Sequence, residues 1–200
     1  MIRYLTILIL ILILAATLFV CCQDKLPLNI NLANRSYVFF NQDSAKVNFP
    51  EITAGHVTVV GFIYTNCPDI CPMTTHNMSL TEQRLKGEQV DDIKFVSITF
   101  DPDRDYPSVL KKYGKIRDLD FNKWTFLWAN KNITKSLLNR LDIVAIPTDS
   151  SISDDGELTY NMMHTDRISL LDKNGKLKKN YVGSKVNLDE LYNDIKYLRD

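Results

Sequence analysis

The chain has 200 residues, 24% of them charged, and a formal net charge of zero. This suits one globular domain with room for a targeting or anchoring segment. Basic and acidic residues are balanced at 24 each, so the positive excess of a nucleic-acid-binding surface is absent and no nucleic-acid partner is expected. Four cysteines form two tight pairs, Cys21/Cys22 and Cys67/Cys71, which is not the pattern of a small disulfide-rich secreted domain.

The N-terminus carries an uncharged apolar run over residues 4–22, directly after Arg3. Its length suits a signal-peptide core or a membrane span. Cys21 and Cys22 lie where the run ends, as in bacterial lipoprotein signals, in which a cysteine becomes the lipidated first residue. The residues before Cys21 are larger than that pattern favours, so an uncleaved anchor is the alternative. Both interpretations predict a membrane-tethered domain outside the cytoplasm, on the periplasmic or cell-surface side in a bacterium.

The remaining chain alternates predicted strands and helices. Residues 23–36 predict a linker and residues 37–200 the domain, which starts with a short hairpin or irregular segment up to residue 56. Apolar runs and helical periodicity then predict strand 57–65, a helix from Pro72 to Gly87, strand 93–100, a helix from Ser108, strand 124–130, helix 132–141, strands 167–172 and 177–183, and helix 188–198. Residues 151–164 predict a polar surface excursion.

This order of elements predicts an α/β, thioredoxin-like fold. We expect a central mixed sheet flanked by helices, with an N-terminal hairpin extension and a C-terminal β-hairpin plus helix.

The second cysteine pair lies where the first buried strand ends and a helix begins, in the sequence C-P-D-I-C-P. The N-terminus of a helix favours thiolate, the form of cysteine that acts as nucleophile and metal ligand. A gap of three residues lets Cys67 and Cys71 close a disulfide or converge on one ion. Two thiolates leave most metals short of ligands, so a third ligand is expected from elsewhere in the chain.

Three histidines are candidates for that ligand. His76 lies more than a helical turn beyond Cys71, and His56 precedes the first strand, at the opposite end of the sheet. His164 lies in the loop that enters strand 167–172, which packs against the cysteine loop in a thioredoxin-like topology. His164 is therefore the predicted third ligand. Two sulfurs and one imidazole favour copper, as Cu(I) or Cu(II) and one per chain, over a closed four-ligand zinc site.

Residues close to these ligands have less specific roles. Met162 and Met163 precede His164 and could act as soft auxiliary ligands, although filling gaps in the packing is the favoured interpretation. Asp69 lies between the cysteines and could tune the charge of the thiolate, although a helix cap is favoured.

Three stretches of the sequence resemble the Sco/SenC family of copper-binding, membrane-tethered, thioredoxin-like proteins. They are YTNCPDICPMT at 64–74, DPDRD at 101–105 and MHTDRISLLDKNGKL at 163–177. The resemblance covers the chain from about residue 37 to its C-terminus. It implies copper ligation by Cys67, Cys71 and His164. It also implies delivery of copper to the binuclear copper site of cytochrome c oxidase during assembly, with the copper-site subunit of the oxidase and other copper chaperones as partners.

The resemblance also points to Asp101, which ends the strand beside the cysteine strand. Its carboxylate could modulate the metal or the partner surface, or Asp101-Pro102 could begin a turn and cap the next helix.

Alternatives to a metallochaperone use the same sulfurs. Cys67 and Cys71 could be the redox-active pair of a thiol–disulfide oxidoreductase that keeps the acceptor cysteines reduced, or of a redox or copper sensor. A peroxiredoxin shares the fold, but Tyr64 stands where its threonine would be, three residues before the reactive cysteine.

Overall fold

The structure, a computed structural model, describes residues 26–152 and 158–200. The strands are β1 (Ile30–Asn31), β2 (Tyr37–Asn41), β3 (Lys46–Phe49), β4 (Thr58–Ile63), β5 (Lys94–Thr99), β6 (Trp124–Trp128), β7 (Ala145–Ile152), β8 (Leu158–His164), β9 (Ile168–Leu171) and β10 (Lys176–Tyr181). The helices are α1 (Ile70–Gly87), α2 (Pro107–Ile116), α3 (Lys131–Arg140) and α4 (Leu188–Arg199), and single 3-10 turns cover Glu51–Thr53 and Gly183–Lys185.

Eight strands form the main sheet in the order β1-β10-β9-β4-β5-β6-β2-β3. The strands β4, β5 and β6 run parallel, whereas β9 is antiparallel to β4 and β2 is antiparallel to β6. The predicted mixed sheet, N-terminal hairpin and C-terminal hairpin plus helix are thereby confirmed.

The cysteine loop follows a strand that is buried along its whole length. All six residues of β4 are buried between β9 and β5, which explains their near-continuous apolar sequence. Helix α1 packs closely on this strand at Gly61, where an added Cβ would lie 2.6 Å from the sulfur of Met78. The start of α1 is therefore held on a rigid part of the core.

None of residues 151–152 and 159–164 is buried, which agrees with the predicted surface excursion, but that prediction missed the strands that these residues form. The strands β7 and β8 form an antiparallel hairpin, a two-stranded sheet separate from the main one. The residues of β7 are mostly exposed and half of them are polar, and its register shifts between Thr148 and Ser150. One face of β8 is half-buried, but β7 has no fully buried residue, which is why hydrophobic alternation did not indicate the hairpin.

Part of the predicted linker belongs to the fold. Leu26 and Leu32 are buried, and the backbone N–H of Leu28 donates to the carbonyl of Lys178 at 3.0 Å. The short strand β1 pairs with β10 at the edge of the sheet. The apolar run over residues 4–22, with Cys21 and Cys22, lies outside the described residues. Within residues 26–152 and 158–200, no helix has the length and hydropathy required to cross a bilayer.

Candidate metal centre

Both cysteines lie at the junction between β4 and α1. Helix α1 begins at Ile70, before the predicted start, so that Cys71 and Pro72 lie in its first turn. Proline is accommodated there because the N–H groups of the first turn have no partner within the helix. The backbone N–H of Cys71 donates to the sulfur of Cys67 at 3.3 Å. Both thiols are reduced and buried, with 8% of Cys67 and 1% of Cys71 exposed.

The structure brings His164 to these two sulfurs. It is the last residue of β8, and its Nε2 lies 3.9 Å from the Cys71 sulfur. The ligand atoms of Cys67, Cys71 and His164 all lie within 4.8 Å of one another. The other histidines lie elsewhere, as predicted: His76 is exposed on α1, and Nδ1 of His56 is 3.0 Å from the carbonyl of Asp92.

Aromatic side chains and a backbone carbonyl fix the orientation of the imidazole. The ring of His164 lies 4.9 Å from Phe100 and 5.8 Å from Tyr64, measured between ring centroids. Its Nδ1 is 3.2 Å from the carbonyl of Thr165, which selects the tautomer with the proton on Nδ1. Nε2 therefore faces the sulfurs. When protonated it donates to Cys67, and when deprotonated it offers a lone pair to a metal ion, as in metal-binding histidines whose other nitrogen donates to a carbonyl.

The two thiols differ in acidity. Hydrogen bonding from the Cys71 thiol lowers the pKa of Cys67, and donation from His164 and from the backbone N–H groups of Cys71 and Asp69 lowers it further, against the effect of burial. Donation to Cys67, together with burial, raises the pKa of Cys71. Burial by itself would lower the pKa of His164, but the Cys67 thiolate and the Thr165 carbonyl raise it overall. The hydrogen bonds around the two sulfurs therefore favour the thiolate form of Cys67 over that of Cys71.

The donor set fits a single soft metal ion. Ligands at about 2.0–2.3 Å from an ion cannot be further apart than about 4.6 Å, so the observed separations need only small side-chain movements. Two sulfurs and one imidazole suit Cu(I), and the imidazole also accommodates Cu(II). Cys67, Cys71 and His164 could thus hold one copper ion with a coordination position open to an incoming ligand.

Asp101 lies close to the site but its carboxylate has other partners. It accepts hydrogen bonds from Nε of Arg104 and from the hydroxyl of Tyr160, each at 2.5 Å. The carbonyl of Asp101 accepts the N–H of Asp105 at 3.0 Å, so the predicted turn is present. The predicted cap is not, because α2 begins at Pro107, after Tyr106.

Asp101 belongs to the acidic loop, residues 101–105. Asp105, in the same loop, holds the cysteine loop in place. Its buried carboxylate accepts the N–H of Thr65 at 3.0 Å and the hydroxyls of Thr65 and Thr99 at 2.5 and 2.6 Å. Thr65 is the second residue before Cys67. The sequence signal was the third aspartate of DPDRD, but sequence reasoning singled out only Asp101.

The predictions for the residues around the ligands have different outcomes. Asp69 precedes α1, but its exposed side chain makes no cap hydrogen bond, so that prediction was wrong. Met162 packs against the core, whereas Met163 is 58% exposed. An auxiliary ligand role for either methionine stays a prediction.

Asp166, which sequence reasoning did not single out, fixes the chain just after His164. Its carboxylate accepts hydrogen bonds from the hydroxyl of Thr74 at 3.1 Å and from the N–H and hydroxyl of Ser184 at 3.0 and 2.6 Å. These bonds hold the exit from β8 against α1 and the turn after β10. The metal ligands are thus supported from both sides.

Comparisons with known proteins agree with this architecture. The sequence model of the family described as SCO1/SenC matches residues 29–199. The SCO1 protein homolog of Bacillus subtilis (strain 168) is 31% identical over 184 residues, which are 90% of this chain and 90% of the relative.

Two solved structures are similar to the chain over most of both lengths. ScoI of Bradyrhizobium japonicum, solved with copper bound, has a TM-score of 0.68 at 25% identity. The match covers 82% of this chain and 98% of ScoI. BsSco has a TM-score of 0.68 at 29% identity, and the match covers 87% of this chain and 96% of BsSco. BsSco is described as having a disulfide switch and as a member of the Sco family of cytochrome c oxidase assembly proteins.

Proposed function

Because the chain belongs to the SCO1/SenC family, we propose that it is a metallochaperone that binds copper and delivers it to the binuclear copper site of cytochrome c oxidase during assembly. The observation that carries the proposal is the convergence of Cys67, Cys71 and His164, whose ligand atoms lie within 4.8 Å of one another. The copper-bound ScoI and the assembly role ascribed to the family of BsSco support it.

The geometry suits transfer better than permanent storage. Three protein ligands leave a position open, so an acceptor cysteine can bind the ion before Cys67 or Cys71 releases it. Ligands can then be exchanged one at a time, and the ion is never without thiolate ligands. The copper is the cargo of this protein, and the acceptor is expected to be the copper-site subunit of the oxidase.

Metal analysis and a transfer assay test this function together. The purified chain should bind about one copper per molecule, and Cys67→Ser should bind none. The loaded chain should then give copper to the soluble copper domain of the oxidase subunit, whose binuclear site has its own absorbance. Tight zinc binding without copper, or a loaded chain that fails to pass its metal on, would contradict the proposal.

A second function, thiol–disulfide exchange, is favoured by the acidity of the thiols. Cys67 has a lowered pKa and the Cys71 sulfur is close enough to be its hydrogen-bond donor. A thiolate beside a second thiol is the arrangement that attacks a substrate disulfide and then resolves the mixed disulfide. The described disulfide switch of BsSco is consistent with such chemistry.

His164→Ala separates the two functions. It removes a copper ligand but leaves both sulfurs, so copper transfer should fail while reduction of a disulfide peptide continues. If the variant still transfers copper at the wild-type rate, the three-ligand site is not the functional one. If it loses both activities, His164 is needed for the thiolate itself.

We also propose that the domain is tethered to a membrane outside the cytoplasm through its N-terminus. The support is the uncharged run over residues 4–22 and the position of Cys21 and Cys22 at its end. Mass spectrometry of the mature chain tests it: a lipidated N-terminal cysteine indicates a lipoprotein, an intact N-terminus an uncleaved anchor. Secretion of a soluble, unlipidated form would contradict the tether.

A further inference from the structure

The histidine and the cysteines of the candidate site are carried by different sheets. Cys67 and Cys71 follow β4 at the centre of the main sheet, whereas His164 ends β8 in the separate β7–β8 hairpin. The distance between imidazole and sulfurs therefore depends on how the hairpin is held against the rest of the molecule.

Tyr160 joins the hairpin to the acidic loop. Its hydroxyl donates to the carboxylate of Asp101 at 2.5 Å, and its backbone carbonyl accepts a hydrogen bond from Nη1 of Arg104 at 3.0 Å. The guanidinium of Arg104 also lies 3.5 Å from the centroid of the tyrosine ring and donates to Asp101 at 2.5 Å. Asp101 is 2% exposed, so water cannot readily replace these bonds.

Tyr160 lies on the same side of β8 as His164. The two residues are four positions apart on one strand, so their side chains face the same side at a separation of about 13 Å. The hairpin is thus held at two points, at the imidazole by Phe100 and Tyr64 and at Tyr160 by the acidic loop. Two separated points of attachment fix the direction of the strand, which one point cannot do.

The acidic loop that holds Tyr160 also holds the cysteine loop. The hydroxyl of Thr99 accepts the N–H of Asp101 at 3.0 Å and donates to Asp105, which in turn binds Thr65. One short segment therefore sets the positions of both halves of the site.

We propose that Tyr160 is a positioning residue that, through Asp101 and Arg104, holds His164 close enough to Cys67 and Cys71 for the three side chains to share one metal ion. The proposal rests on the proposed copper-binding function. Tyr160 is not a ligand itself, since its hydroxyl is committed to Asp101. Its effect should appear wherever the imidazole matters most, which is in the binding of Cu(II) rather than of Cu(I).

Tyr160→Phe removes one hydroxyl and leaves the ring under Arg104. Loss of a group that orients a metal ligand typically costs 10–100-fold in affinity, and we expect a loss of about that size for Cu(II). Cu(I), held mainly by the two thiolates, should lose less than about 3-fold. Affinities would be measured by competition with chelators, and the nitrogen coupling of the Cu(II) electron paramagnetic resonance spectrum should weaken.

Two variants set the scale of the experiment. His164→Ala gives the maximal loss of Cu(II) affinity, and Tyr106→Phe makes the same change in a half-exposed tyrosine that packs on Trp128, just after the acidic loop. Tyr106→Phe should bind both ions as the wild type does. Unchanged Cu(II) affinity in Tyr160→Phe, or equal losses for both ions, would overturn the proposal, because equal losses indicate general destabilisation.

A measurement without metal keeps this inference separate from the copper function. In the reduced, metal-free chain, the imidazole resonances of His164 should shift or broaden in Tyr160→Phe and stay unchanged in Tyr106→Phe. If the wild type binds no copper, the proposed function fails, but this spectrum still decides the role of Tyr160. Resonances identical to those of the wild type would overturn it.

Discussion

The charge of the candidate site is carried unequally by its two sulfurs. Cys67 accepts hydrogen bonds from its neighbours, which lowers its pKa, whereas Cys71 donates and has a raised pKa. The nucleophile and first metal ligand is therefore expected to be Cys67, although both sulfurs follow from the same C-P-D-I-C-P sequence.

Alkylation as a function of pH tests this asymmetry. An ordinary thiol with a pKa near 8.5 loses about 100-fold or more of its thiolate between pH 9 and pH 6. Because the pKa of Cys67 is lowered, its reaction with iodoacetamide should change little over that range, and Cys71 should react slowly throughout. Mass spectrometry of the modified peptides distinguishes the two sites. Equal rates at Cys67 and Cys71, or a steep fall for Cys67, would contradict the assignment.

The buried carboxylate of Asp105 makes a second prediction. Burial raises its pKa to about 6, despite the donors on Thr65 and Thr99. Between about pH 4 and pH 6 the folded chain then binds more protons at this group than the unfolded chain, so this group makes stability fall as pH rises. Relative to Asp105→Asn, the wild type should lose roughly 1–3 kcal/mol of its free energy of unfolding between pH 4 and pH 7.

Denaturant unfolding at both pH values measures this difference. Asp189→Asn, the same change in an exposed carboxylate that pairs with Arg84, serves as the control for the substitution itself. If the free energy of unfolding of the wild type instead increases relative to that of Asp105→Asn as pH rises, the prediction is wrong, because Asp105 is then stabilised as a carboxylate in the folded chain.

At the scale of elements, the support of the site depends on close packing of the turn after β10. Gly183 approaches so closely that an added Cβ would lie 2.6 Å from the Asp166 carboxylate and 2.7 Å from Thr74. These two side chains hydrogen-bond to each other and fix the chain just after His164. The glycine is thus required by the packing of the turn against α1.

Gly183→Ala should therefore destabilise the chain by about 1–3 kcal/mol, the usual cost of overpacking. Because Asp166 has to move, copper affinity should also fall. Thermal unfolding and chelator competition measure the two effects. Gly87→Ala, at the end of α1 with no atom within 4 Å of the added carbon, should not destabilise the chain and should leave copper affinity unchanged. A Gly183→Ala chain of wild-type stability would mean that the turn can move away without cost.

Elements with strong local signals were predictable from the sequence. The buried run of β4 and the helix that ends at Gly87 were predicted with small errors at their ends, because burial on both faces and a glycine stop leave clear patterns. The β7–β8 hairpin was not, since a mostly exposed strand with no hydrophobic alternation, such as β7, resembles a loop. The role of Tyr160 was missed for the same reason, whereas His164 was chosen from topology.

At the scale of the whole molecule, the fold brings distant parts of the chain together at the carboxyl ends of the central strands of the sheet. Segments around residues 67, 101 and 164 meet there because β4 and β5 are parallel neighbours and end on the same side. The three stretches that carry the family resemblance are therefore one structural unit. The sequence could indicate which segments meet, but the distances between their side chains required the structure.

Because the site is divided between two sheets, its ligands are expected to dissociate from a metal ion in a fixed order. Parts of a protein open locally with different free energies, and buried central strands open last. The amide hydrogens of β4 should exchange with solvent only through global unfolding, and those of β7 and β8 through a local, far less costly opening. Native-state hydrogen exchange would show this, and equal protection of β7 and β4 would contradict it. The chain can then release its imidazole while both sulfurs stay in the folded core, so that a metal ion held on two thiolates is the expected first stage of unloading.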